Sequence, residues 1–102
     1  MREWVLVTKT EEIPLGQTRS FCVREKEICI SHVKGTFYAF INQCSHMDFP
    51  LVDGNLEDSV IECAHHGAKF DITTGAVVCM PAITPIEIYP LKVQENEIFI
   101  QL

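Results

Sequence analysis

Apolar and polar residues alternate along most of the chain in short runs broken by turn residues, and no stretch sustains helical spacing over a useful length. A first strand is expected over Trp4 to Thr8. Pro14-Leu15-Gly16 reads as a turn, after which Thr18 to Arg24 and Glu27 to Val33 make a hairpin with charged residues at its tip. Lys34-Gly35 supplies a second tight turn, since glycine takes the positive φ that two-residue hairpins demand, and Thr36 to Asn42 returns as the next strand. Asp53-Gly54-Asn55 marks another turn. Ser59 to Glu62 is a short strand, and Lys69 to Ile72 and Ala76 to Cys79 flank Thr73-Thr74-Gly75 as a further hairpin. In the tail, Ile86, Ile88 and Leu91 precede a turn at Asn96, and Ile98, Ile100 and Leu102 recur at period two, as a half-buried closing strand requires. The pattern predicts an all-β sandwich or barrel with no repeat, low-complexity stretch or linker.

The 102 residues suit a single domain, 1–102, and 47% apolar against 22% charged residues is ample for a core. No signal peptide is visible, and no apolar run approaches the eighteen or more residues of a membrane span, so a soluble, cytoplasmic protein is expected. Fourteen acidic residues face eight basic ones, a formal charge of -6 that disfavours nucleic acid as a partner. Such a surface suits basic patches on redox partners, and it equally serves solubility.

The chemistry concentrates in two segments. Cys44-Ser45-His46 and Cys63-Ala64-His65-His66 each offer one thiol and one imidazole at loop spacing, separated by sixteen residues. The first begins directly after a predicted strand and the second directly follows one. Two sulfurs and two ring nitrogens are the ligand set of a Rieske [2Fe-2S] centre, with Cys44 and Cys63 on one iron and His46 and His66 on the other. His65 competes with His66 for the last role. Replacing two thiolates by neutral imidazoles makes one iron electron-poorer, so the His-bound iron receives the electron. Tetrahedral zinc is the alternative, because Cys2His2 also binds zinc, although zinc modules more often pair Cys with Cys and His with His.

The remaining cysteines, Cys22, Cys29 and Cys79, are an odd number and argue against a disulfide framework; they are expected to pack as small hydrophobes. A turn centred on Glu25-Lys26 would set Cys22 opposite Cys29, close enough to pair under oxidising conditions. His32 falls in a strand and is expected to be a packed or surface residue, and Lys34 a solvated charge.

The segments Cys44-Ser45-His46-Met47-Asp48-Phe49-Pro50-Leu51, Asp53-Gly54, Ile61 to Asp71 through Cys63-Ala64-His65-His66-Gly67, and Thr74-Gly75 resemble the Rieske ferredoxin family, in the family's order. The resemblance covers essentially the whole chain. It implies a three-sheet β fold with a cluster-binding part, about residues 43–81, of two loops at one tip, and a proline loop at Met80-Pro81-Ala82 over one [2Fe-2S] cluster per chain. Met47, Phe49, Met80 and Pro81 would form an apolar lip around the exposed histidine edges.

It also implies a function. Relatives of this kind carry single electrons from a flavin-dependent reductase to a ring-hydroxylating oxygenase, as non-catalytic components with no small-molecule substrate and no membrane contact. Membrane-anchored Rieske proteins place disulfide-forming cysteines where this chain has Phe49 and His65, and a serine and tyrosine where it has Ala68 and Phe70. Without those hydroxyl donors to sulfur, a potential at the low end of the Rieske range, about -150 mV or somewhat above, is expected. Two other readings compete: an accessory subunit like those of nitrite reductases, whose relatives generally lack the ligands, and a zinc-stabilised interaction module.

Overall fold

The computed structural model describes residues 3–44, 49–64, 67–79 and 84–102. Among them, eleven strands form three antiparallel sheets. A terminal sheet joins β1 (Trp4–Lys9), β11 (Glu97–Gln101) and β10 (Leu91–Gln94) in that order. A central sheet runs β2 (Thr18–Val23), β3 (Lys26–Val33), β4 (Thr36–Ile41), β9 (Ile88–Tyr89). A distal sheet runs β5 (Asn55–Glu57), β6 (Val60–Glu62), β7 (Lys69–Asp71), β8 (Val77–Cys79). The three-sheet all-β fold expected from the sequence is the one observed.

Strand β3 explains the layering. Ile28, Cys29, Ile30 and Ser31 are all fully buried, a continuous run that only a strand covered on both faces can carry. Ile28 and Ile30, with Ala39 of β4, pack on Ile98 and Ile100 of the terminal sheet together with Ile13, Val23 and Tyr89. Cys29 and Phe40 point the other way, into a second core with Ile61, Phe70 and Ile72 of the distal sheet and its margins. Each large aliphatic or aromatic side chain so buried contributes about 1.5–3 kcal/mol by leaving water. Ser31, the polar member of the buried run, is satisfied by the Thr18 hydroxyl at 2.6 Å.

Three two-residue turns set the registers. Arg24 and Glu25 (φ 50° and 68°), Lys34 and Gly35 (50° and 88°), and Glu95 and Asn96 (52° and 65°) each place both central residues in the left-handed region. Turns of that hand match the twist of the strands they join. The first lies one residue earlier than expected, so Val23 pairs with Lys26, Cys22 with Glu27 and Cys29 with Ser20. Cys22 and Cys29 are therefore not opposite one another, and both thiols are free.

Two further expectations are corrected. Cys22 and Cys79 are exposed, each on the edge strand of its sheet, and of the three only Cys29 packs as a buried hydrophobe. Asn55 opens β5 and pairs with Glu62, so the turn at Asp53-Gly54 leads straight into a three-residue strand that polar flanks conceal in the sequence. Lys34 is exposed and reaches Asp58 at 3.3 Å. His32 packs in the wall of the fold, stacked on Phe37 with centroids 4.1 Å apart and its Nδ1–H donating to the Ile13 carbonyl at 2.9 Å.

Candidate metal centre

Two loops carry the candidate ligands. The first leaves β4 and enters β5, crossing from the central to the distal sheet, while the second joins β6 to its hairpin partner β7. Cys44 and Cys63 are each 1% exposed and belong to one buried cluster with Leu51, Ile61, Ala68 and Phe70. His46 and His66 lie outside the described residues, as do His65, Met47, Met80 and Pro81. Phe49, the described member of the expected lip, is half-buried against the same cluster.

The described stems of the two loops close alike. The Cys44 N–H donates to the Phe49 carbonyl at 2.8 Å, and the Cys63 N–H donates to the Ala68 carbonyl at 2.7 Å. In both, the cysteine bonds to the residue five positions on, so each cysteine begins a closed ring of the same length. Gly67, at φ +73°, donates back to the Cys63 carbonyl at 3.1 Å, a conformation suited to a residue without Cβ.

The rest of the first loop is held by a side chain. Asn42 Oδ1 accepts from the Leu51 and Val52 N–H groups at 2.8 and 2.9 Å and from the Cys29 thiol at 3.2 Å. Burial, and secondarily Glu27 and Asp53, push the Cys29 thiol pKa up, so it stays protonated and donating. Where the first loop ends, Gly54 lies so close to the Glu62 and Leu51 carbonyl oxygens that a Cβ would strike both. That contact pins the end of the first loop beside Glu62, immediately before Cys63. Neither Asn42 nor the packing reason for Gly54 was singled out from sequence. The available signal was a polar residue ending an apolar strand two positions before a ligand.

The donors present fit an iron-sulfur group. No disulfide forms among the described cysteines, although three thiols, Cys29, Cys44 and Cys63, share one apolar cluster. Soft sulfur donors gathered in an apolar site suit an iron-sulfur or zinc centre, whose cations offset the charge that the thiols take on as ligands. Ala68 and Phe70, which stand where membrane-anchored Rieske proteins have a serine and a tyrosine, are both fully buried and carry no hydroxyl.

Comparison with known proteins decides between these metals. The Rieske [2Fe-2S] domain matches residues 3–90. The ferredoxin component of the naphthalene 1,2-dioxygenase system of Pseudomonas aeruginosa is 35% identical over 98% of this chain and 96% of its own. The 3-phenylpropionate/cinnamic acid dioxygenase ferredoxin subunit of Photorhabdus laumondii is 35% identical over 94% of this chain and 91% of its own. Among solved structures, the ferredoxin of carbazole 1,9a-dioxygenase from Nocardioides aromaticivorans superposes with a TM-score of 0.91 at 30% identity, covering 95% of both chains. With two buried thiols at the roots of matched loops and this likeness along its length, the chain belongs to the Rieske [2Fe-2S] domain family.

Proposed function

We propose that the chain is the ferredoxin component of a ring-hydroxylating dioxygenase system, taking single electrons from a flavin-dependent reductase and delivering them to a terminal oxygenase. The observation that carries this reading is the pair of buried cysteines on equivalently closed loops, set in a fold shared end to end with dioxygenase ferredoxins. In the carbazole 1,9a-dioxygenase system a ferredoxin is seen in complex with the oxygenase, and its structure resembles this one with a TM-score of 0.89 at 28% identity. The whole of 1–102 then acts as one domain with its cluster-binding part at about 43–81, in the cytoplasm, where unpaired cysteines such as Cys22 and Cys79 persist.

In this reading Cys44 and Cys63 would hold one iron, and His46 and His66 the other. A [2Fe-2S] group held in this way would supply reversible one-electron storage. The protein around it does the rest. Apolar burial of Cys44 and Cys63 keeps water from the sulfurs. Fully buried Ala68 and Phe70 offer no hydroxyl donors, which supports a potential at the low end of the Rieske range, about -150 mV or somewhat above. Among the described residues no helix is long and apolar enough to cross a membrane.

Anaerobic purification followed by iron, sulfide and zinc analysis and by EPR before and after dithionite tests the reading. Two irons and two sulfides per chain and a Rieske-type signal appearing on reduction are expected. Loss of that signal in His66→Ala and its retention in His65→Ala would sustain the ligand assignment, whereas one zinc and no sulfide would overturn the function.

A further inference from the structure

The first ligand loop has a structural problem that the second does not. Its ends belong to different sheets, β4 in the central one and β5 in the distal one, so no strand ladder ties them together. The second loop closes the β6–β7 hairpin, whose Glu62–Lys69 pair lies directly beneath Cys63 and Ala68. We propose that Asn42 is the positioning residue of the first loop, its one side-chain oxygen replacing the missing ladder and fixing Cys44 toward the iron-sulfur group. This rests on the ferredoxin reading above.

Three donors converge on that oxygen: the consecutive N–H groups of Leu51 and Val52 at 2.8 and 2.9 Å, and the Cys29 thiol at 3.2 Å. They come from two segments distant in sequence. Leu51 is fully buried and Val52 packs against the same core, so the two amides mark where the loop re-enters the protein. Cys29 lies on β3, the central strand covered on both faces, and brings the node to the most deeply buried strand of the fold. Asn42 is itself tied by its N–H to the Glu27 carbonyl at 3.0 Å, just past the end of β4.

The side chain therefore closes a ring from Asn42 to Leu51 around the smaller Cys44–Phe49 ring. Opening the outer ring leaves two amides in a partly buried place without an acceptor, and the inner ring loses its support. An unpaired buried donor of this kind shifts a local opening equilibrium by about tenfold to a hundredfold. An amide oxygen meets the requirement without adding a negative charge beside a site that must become more negative on reduction. The thiol of Cys29 adds a weak third bond, and its value is placement, since it joins the loop to β3.

The test compares holoprotein with Asn42→Ala, Asn42→Asp and Cys29→Ala. Two readouts are used: bleaching of the visible spectrum with time after dilution into a chelator, and hydrogen exchange of the peptide containing Leu51 and Val52. Asn42→Ala should exchange at those amides and release iron at least about tenfold faster, with broadened EPR features from a less uniform site. Asn42→Asp, which keeps the oxygen in place, should restore slow exchange and slow release. Cys29→Ala should give a twofold to threefold effect of the same sign. Unchanged exchange and release in Asn42→Ala, or an Asp variant as impaired as the Ala variant, would overturn the proposal. If the wild-type chain held no iron and sulfide, the functional reading would fall, and amide exchange at Leu51 and Val52 would still decide whether Asn42 anchors the loop.

Discussion

The two ligand loops end in the same way and are built in opposite ways. Each roots a buried cysteine in a ring closed by its own N–H five residues on, Cys44 to Phe49 and Cys63 to Ala68. The second loop inherits that geometry from a hairpin: β6 and β7 pair up to Glu62 and Lys69, and the Cys63–Ala68 bond continues the ladder. The first spans two sheets and must be assembled from tertiary contacts, namely the Asn42 side chain, the buried Leu51 and the close packing at Gly54. Matched metal sites can thus rest on one locally encoded arm and one that exists only when the whole fold is formed. The second kind is where substitution remote from the ligands should do the most damage.

The largest effect is expected where the two arms meet. Gly54→Ala would drive a methyl group into the Glu62 and Leu51 carbonyl oxygens, neither of which can swing aside as a side chain would. A loss of about 3 kcal/mol and a melting temperature lower by more than about 10 °C are expected. Thermal unfolding followed by circular dichroism measures it, and a neutral substitution would mean that the first loop is not held against β6 as described.

A smaller effect sharpens the role of the Cys29 anchor. Burial raises the Cys29 thiol pKa, with Glu27 and Asp53 adding to the shift. A group whose folded pKa is raised contributes stability that is fully present below its unfolded value, about 8.5 for a thiol. The folded chain holds the proton longer than the unfolded one, so stability falls as pH climbs above that value, by about 1 kcal/mol between pH 8.5 and 9.5. Cys29→Ala should flatten the slope in that window. Tyr89, raised by burial and by its bond to Glu87, adds loss of the same sign only beyond about pH 10. Denaturation of both proteins across the window decides the matter, and identical slopes would remove Cys29 as the cause.

The smallest expected effect is a control far from both loops. Glu25 adopts φ 68° in the β2–β3 turn, where glycine fits without strain, so Glu25→Gly should gain about 0.5–1 kcal/mol. The gain should appear in the unfolding midpoint and leave the reduction potential and the rate of iron release alone. A shift in either would show that the two halves of the fold are coupled more tightly than the contrast between the loops requires.

Legibility followed the range of the interactions. Period-two alternation exposed β1, β2 and β11 because each has one covered face, and Lys34-Gly35 announced its turn because glycine suits the conformation. The first hairpin was misplaced by one residue because Arg24 and Glu25 carry no turn signature, their left-handed backbone being imposed by the strands on either side. Strand β5, with the polar Asn55 and Glu57 flanking Leu56, offers too little pattern to be read as a strand. The candidate ligands were visible because thiol and imidazole at loop spacing have few other uses. The first loop's supports were not, since Asn42 and Leu51 meet across nine positions.

The chemistry on offer could be read from residue order alone: the cysteines and histidines of the two motifs, the lack of hydroxyls at Ala68 and Phe70, and an all-β chain. These are properties of residue type and short spacing, which need no fold to be read. Only the tertiary structure decided that β3 is covered on both faces, that Cys44 and Cys63 share one buried cluster, and that Asn42 and Gly54 hold the first loop to the rest. Those facts depend on which distant segments the packing of three sheets brings within hydrogen-bonding or van der Waals reach, and local periodicity carries no record of that.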